Sequence, residues 1–136
     1  MYLLDTNVVS ELRKTRPHGG LLAWLTGVSE DSVHISVVTL GELQAGVERT
    51  RRQDPTKAAE IEAWLDGVAD RDRILPMDGR VFREWARLMA DSPVQLAQDA
   101  MIAATARVHG LTVVTRNVRD FKSFDVPVLD PFTHPK

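Results

Sequence analysis

Short apolar runs alternate with helix-length amphipathic segments along this chain, and that alternation constrains its fold more than any other feature. Tyr2–Leu4, Val33–Val37, Arg73–Pro76, Leu111–Thr115 and Val126–Leu129 read as strands. Between them, apolar residues recur at helical spacing. Thr6-Asn7 opens a helix with Val8, Val9 and Leu12 on its apolar side, and Gly19-Gly20 precedes one with Leu21, Leu22, Leu25 and Val28. Leu40, Leu43 and Val47 share a face of a helix reaching about Arg51. Asp54-Pro55 reads as an N-cap with proline at the first helical position, ahead of Ile61, Trp64, Leu65 and Val68. Asp78 caps a helix whose inward set is Val81, Phe82, Trp85, Leu88 and Met89, and Ser92-Pro93 ends it. Leu96–His109 is a strongly apolar helix closed by Gly110, and Asn117–Lys122 reads as a short helical turn. Strands that alternate with helices imply a parallel α/β sheet covered on both faces. In such sheets the ligand crevice lies beyond the carboxyl ends of the strands, where Asp5 and the Thr115–Asp120 segment fall.

The 136 residues suit one domain, 1–136, burying about two-thirds of the unfolded surface. There is no cysteine, which excludes disulfides and thiolate metal sites and fits a reducing compartment. Met1–Leu4 lacks a basic lead and Asp5 interrupts it, so no secretory leader is expected. No apolar stretch nears the ~20 residues that span a bilayer. The predicted location is the cytoplasm, with no membrane partner. The formal charge of −2 argues against nucleic acid only in bulk. Cations cluster at Arg13–Arg16, at Arg49–Arg52, and at Arg116 with Arg119, either as solvated helix ends or as contacts for a polyanion.

Four acids carry the functional argument. Asp99 lies in Leu96-Ala97-Gln98-Asp99-Ala100-Met101-Ile102-Ala103-Ala104, with Leu96, Ile102 and Ala103 as its helical neighbours. A carboxylate there loses solvation and persists only with a metal, a cation or hydrogen bonds. The structural alternative is a buried acid paired with arginine. Asp5 directly follows an apolar strand, where capping a helix would also account for it. Asp120 sits just past a strand end, a position that turn chemistry explains equally well. Glu42 stands about opposite the Leu40–Leu43–Val47 stripe, with Val38, Ala45 and Arg49, and a solvated glutamate is the default reading. The four histidines show no metal-ligand spacing, and no nucleophile elbow or phosphate-cradling glycine loop occurs.

Four segments together resemble the PIN-domain family. They are Leu3-Leu4-Asp5-Thr6-Asn7-Val8-Val9-Ser10-Glu11-Leu12, Ser36-Val37-Val38-Thr39-Leu40-Gly41-Glu42-Leu43, Gln98-Asp99-Ala100-Met101-Ile102-Ala103-Ala104, and Thr115-Arg116-Asn117-Val118-Arg119-Asp120-Phe121. The nearest likeness is to VapC-type toxins of toxin–antitoxin pairs, including the branch containing FitB. The resemblance implies a PIN-like sheet of strand order 3-2-1-4-5. It also implies an endoribonuclease using Mg²⁺, or Mn²⁺, and restrained by a VapB-like antitoxin in a higher assembly, with a second copy of the chain as a further partner. Asp5 and Asp99 would be the primary metal ligands, with Glu42 and Asp120 as further ligands or orienting water. Thr6, Asn117, Thr115 and Ser36 would fix these groups by hydrogen bonds, and Arg116 would steady the scissile phosphate. Asn117 stands where many relatives carry a second Asp; an amide orients water but brings no charge.

Three other readings compete. A haloacid-dehalogenase-like hydrolase wants a second Asp where this chain has Asn7. A receiver domain wants paired early acids, an Asp after the third strand and a late Lys, none well placed here. A non-catalytic PIN-like subunit would bind an antitoxin and help repress its operon without cutting RNA.

Overall fold

The computed structural model describes residues 1–71 and 73–136. Five strands, β1 (Tyr2–Leu4), β2 (Val33–Ser36), β3 (Arg73–Leu75), β4 (Thr112–Val114) and β5 (Val128–Leu129), form one parallel sheet of order β3-β2-β1-β4-β5. The helices are α1 (Thr6–Glu11), α2 (Gly19–Thr26), α3 (Val37–Arg51), α4 (Pro55–Arg71), α5 (Gly79–Met89) and α6 (Ala97–His109). Short 3₁₀ turns occupy Glu30–Ser32, Val94–Leu96, Val118–Phe124 and Pro131–Thr133.

Side-chain alternation along the strands sorts their apolar residues into two cores, one on each face of the sheet. Leu3 and Val113 point to a layer made by Ala100, Ile102, Ala103 and Ala106 of α6 with Phe121 and Phe124. Leu4, Ile35 and Val114 point the other way, to Val8 and Val9 of α1, Leu21 and Trp24 of α2 and Val68 of α4. The small alanines of α6 let that helix lie close to the sheet, so the chain around Asp99 is packed rather than solvated.

Three expected details differ. The buried residues of α2 are Gly20, Leu21 and Trp24, whereas Leu22 is exposed, because α2 begins at Gly19 with His18 as its cap. Gly20 packs so closely under the Pro131–Thr133 turn that a β-carbon would lie 2.8 Å from the His134 carbonyl oxygen. Phe82 is also exposed, and Val37 belongs to α3 rather than to β2. Gly110 closes α6 at φ 67°, the left-handed geometry expected of that glycine.

β1 and β4 are adjacent in the middle of the sheet, and the chain leaves them in opposite directions across it. That is the topological switch, and it opens a crevice at their carboxyl ends.

Candidate active site

Asp5 is the first residue after β1 and the N-cap of α1. Its backbone N–H donates to the Val114 carbonyl at 2.9 Å, so the end of β4 sets where it leaves the sheet. Its Oδ1 accepts from the Thr6 N–H at 2.8 Å, and its Oδ2 accepts from Thr115 Oγ1 at 2.8 Å and from Asn7 Nδ2 at 3.3 Å. Thr115 is fully buried, and its oxygen also accepts from Asn7 Nδ2 at 3.1 Å and from the Asn117 N–H at 3.0 Å. With two donors already aimed at that oxygen, its single proton is directed to Asp5. Burial pushes the Asp5 carboxyl up and Asp120 adds to the rise, while the bonds from Thr115, Thr6 and Asn7 oppose it.

Glu42 reaches the same crevice from α3. Its Oε1 accepts from Thr6 Oγ1 at 2.9 Å, and Thr6 Oγ1 lies 3.0 Å from Thr39 Oγ1. Because the Thr6 proton goes to Glu42, Thr39 is the donor to Thr6, giving the order Thr39 to Thr6 to Glu42. Burial raises the Glu42 carboxyl, and Asp5 raises it further. The default of a solvated glutamate fails because α3 is covered on both sides. Leu40 and Leu43 pack toward α4, and Val38 packs into the α6 layer.

Asp99 lies in the first turn of α6, half-buried. Its carboxyl is pushed up to about 6, by burial first and then by Asp5, Asp120 and Glu42. Nothing acts in the opposite sense: among the described residues no arginine or hydrogen bond compensates it. The ion-paired structural acid allowed by the sequence is therefore not what the fold contains. Asp120 comes from the Val118–Phe124 turn, where three residues per turn bury Phe121 and Phe124 and leave Asp120 on a neighbouring face.

The other expected residues separate. Thr6 and Thr115 touch the acids directly, and Asn117 contributes its backbone N–H to Thr115. Ser36 is fully buried, and its hydroxyl accepts from the Val38 N–H at the start of α3 rather than bonding an acid. Arg116 lays its guanidinium over the Phe132 ring at 3.7 Å and lies 3.8 Å from Glu11, while its backbone N–H donates to Asn7 Oδ1. The sequence reading did not single out Asn7, Thr39 or the buried Glu11. Thr39 stands three residues before Glu42, on the same helical face, and that spacing is the signal that would have found it. Glu11 is held below the usual carboxylate range by Lys14, which lies 2.9 Å away, and by the His18 N–H and Arg116.

The donor set is all oxygen, which suits a hard divalent cation. Among the described residues no three carboxylates converge as a finished cage. That excludes a closed all-protein site but fits Mg²⁺, which keeps several waters and takes one or two carboxylates. Asp5, Glu42 and Asp120 all add to the negative charge felt at Asp99, so these four acids are the residues that could hold such a cation.

The Thr115 hydroxyl gives a direct test of this arrangement. Thr115→Val should lower stability by about 2 kcal/mol in urea unfolding, since Asp5 loses a donor and two N–H groups lose their acceptor. Thr115→Ser should stay within ~1 kcal/mol of the parent. Equal losses would mean that the methyl group, not the hydroxyl, matters.

Comparison with known proteins agrees with the geometry. A family model described as PIN domain matches residues 2–127. The chain is 34% identical to VapC ribonuclease Y4jK of Sinorhizobium fredii, covering 97% of this chain and 98% of that protein. It is 34% identical to Toxin FitB of Neisseria gonorrhoeae, over 97% of this chain and 99% of the toxin. Among solved structures, FitAcB from Neisseria gonorrhoeae superposes with a TM-score of 0.86 at 34% identity, covering 98% of this chain and 99% of that one.

Proposed function

The chain belongs to the PIN domain family, and from that premise we propose that it is a divalent-metal-dependent endoribonuclease, the toxin of a toxin–antitoxin pair. The observation that carries the reading is Asp99: a half-buried carboxyl held up by burial and by three other acids, and compensated by no cation among the described residues. Such charge crowding is costly unless an external cation neutralises it. The names of the relatives, a VapC ribonuclease and a toxin, supply the reaction class.

Bound there, Mg²⁺ or Mn²⁺ would make a water nucleophilic near neutral pH and offset the charge that develops on the phosphate. The chain's own residues do the positioning. Thr115 and the Thr6 N–H hold the Asp5 carboxylate against rotation. Thr39, through Thr6, orients Glu42, leaving its second oxygen to accept a proton or align water. Asp99 approaches from the opposite wall on a helix whose start favours negative charge.

A groove of about 760 Å³, lined by Leu4, Val9, Leu12, Leu25, Val28 and Trp64 together with the charged Glu30, Asp31, Arg71 and Arg73, supports an antitoxin partner that lays an amphipathic tail against α1 and α2. Leu12, Leu25 and Val28 line this groove, whereas Leu21 of α2 is in the core. Exposed Phe82 and Val94 support self-association as a homodimer within the larger assembly. No helix among the described residues is long and apolar enough to cross a membrane, and the cytoplasm, where RNA and antitoxin are made, is the proposed location.

The deciding experiment sequences RNA ends after a brief expression pulse and repeats cleavage with purified chain in Mg²⁺ and in EDTA. New 5′ ends in the cell and divalent-dependent cutting in vitro are expected. Antitoxin binding without cleavage would favour the non-catalytic subunit instead.

A further inference from the structure

The 3₁₀ segment Val118–Phe124 places its side chains in three rows, because it turns once every three residues. One row, Phe121 and Phe124, is in the core. The second carries Asp120 to the acid cluster, where it raises Asp5 and Asp99. The third is Arg119 and Lys122, both exposed, and the exposed Arg116 stands just before the turn. The fold thus aims a carboxylate into the crevice and a line of cations along its edge from one short element.

We propose that Arg116, Arg119 and Lys122 form a phosphate track that holds a single RNA strand beside the acids. The inference rests on the ribonuclease reading above and names the surface that reading lacks. The three cations line an open groove of about 520 Å³ together with Asn117, Asp120 and Asp130. The groove is therefore continuous with the site, because Asp120 belongs to both. Within the turn a rise of about 2 Å per residue separates Arg119 from Lys122 by ~6 Å along its axis, comparable with the step between successive phosphates of a strand.

The charges of these cations are available, as are those of Arg49, Arg80 and Arg83 elsewhere; what sets Arg116, Arg119 and Lys122 apart is the groove they share with Asp120. Among the described residues Arg119 and Lys122 make no ion pair, whereas Arg51 is tied to Glu48 and Glu62, Lys14 to Glu11, and Arg107 to Glu84. Arg116 is oriented by the Phe132 ring and only loosely paired with Glu11 at 3.8 Å, so its guanidinium remains open on one face. Asp130 is the one acid across the groove, and its Oδ1 already accepts from the Phe132 N–H at 2.9 Å. The track also answers a problem set by the acids: a crevice with four carboxylates repels a polyanion, and nearby cations offset this before any phosphate reaches the metal.

The test measures binding apart from cleavage. A fluorescein-labelled 12-nucleotide oligouridylate is titrated with the full chain in EDTA across a range of KCl. The variants are Arg119→Gln/Lys122→Gln and, as a charge-matched control, Arg80→Gln/Arg87→Gln, whose side chains line a cleft at Gly110, the far end of α6 from Asp99. The track predicts that the first double variant lowers the slope of log affinity against log salt by about 1.4, since each single-strand contact contributes about 0.7. Affinity at 50 mM salt should then fall on the order of 50-fold, converging with the parent toward 1 M. The control should keep the parent slope. In cleavage assays the same variant should raise KM with kcat near the parent value. Equal slopes for the two double variants, or no salt-dependent binding by the parent, would overturn the track. Salt-dependent binding lost in the track variant, with no cleavage by the parent in Mg²⁺, would keep the track and sink the ribonuclease reading.

Discussion

Replacing Asp5 with asparagine is expected to leave a folded protein that no longer cleaves RNA. The cap on α1 survives, because an amide oxygen can still accept from the Thr6 N–H. The second oxygen is less easily replaced, since Thr115 and Asn7 both donate to it and an amide nitrogen there would meet two donors. That mismatch costs on the order of 1–3 kcal/mol, partly offset by removing a buried charge that Asp120 repels. Circular dichroism should therefore show the parent fold with a modestly shifted melting temperature. Activity should fall on the order of a hundredfold or more, because losing one ligand of the divalent site removes several kcal/mol of transition-state stabilisation. The assay is cleavage of a mixed RNA pool at fixed Mg²⁺, with an EDTA control. A folded variant retaining more than about a tenth of the parent rate would show that Asp5 serves only as a helix cap, since tenfold is only ~1.4 kcal/mol.

Asp99→Asn should separate metal binding from stability. The Asp99 carboxyl titrates at about 6 in the folded chain and near 3.9 when unfolded. Between those values the native state holds more protons than the unfolded state, so stability falls as pH rises from about 4 to 6 and stays lower above. The full difference corresponds to about 3 kcal/mol, which the half-exposed position of the carboxyl screens to roughly 1–2 kcal/mol. Metal-free Asp99→Asn should thus melt about 3–6 °C above the parent at pH 7.5 and level with it near pH 4. Mg²⁺ at a hundred times its dissociation constant should raise the parent by about 2.7 kcal/mol and the variant by far less. A metal-free variant that melts well below the parent would mean that Asp99 has a structural partner and that the acids do not form a metal site. Below pH ~4.5 the opposite trend enters from Glu11, Glu48 and Glu84, held below the ordinary range chiefly by Lys14, Arg51 and Arg107, and from Glu62, held there by the Gln44 amide and then Arg51.

How the four acids read in isolation explains which of them the sequence could identify. Asp99 stood out because a charge among alanines and isoleucines violates the pattern of its own helix. Asp5 and Asp120 were placed by topology, since strand ends at a switch point converge whatever their neighbours. Glu42 could not be recognised locally: its helix has a normal apolar stripe, and only the packing of α6 against Val38 closes the other side. Resemblance to a family supplied what periodicity could not. The same limit explains Leu22 and Phe82, apolar residues at helical spacing that the fold leaves at the surface.

Local rules acting within about ten residues were enough to determine the strands, the helix caps at Asp54, Asp78 and Gly110, the α/β class and the place of Asp5 at a strand end. These depend on backbone preference and on short-range burial, which a single segment expresses alone. The pairing of Asn7 with Thr115, the chain of hydroxyls from Thr39 to Glu42, and the stacking of Arg116 on Phe132 join residues 16 to 108 positions apart. No segment carries information about a partner that distant. Side-chain direction, and with it the charge felt by each acid, was decided only when the two layers closed on the sheet and removed water from between them.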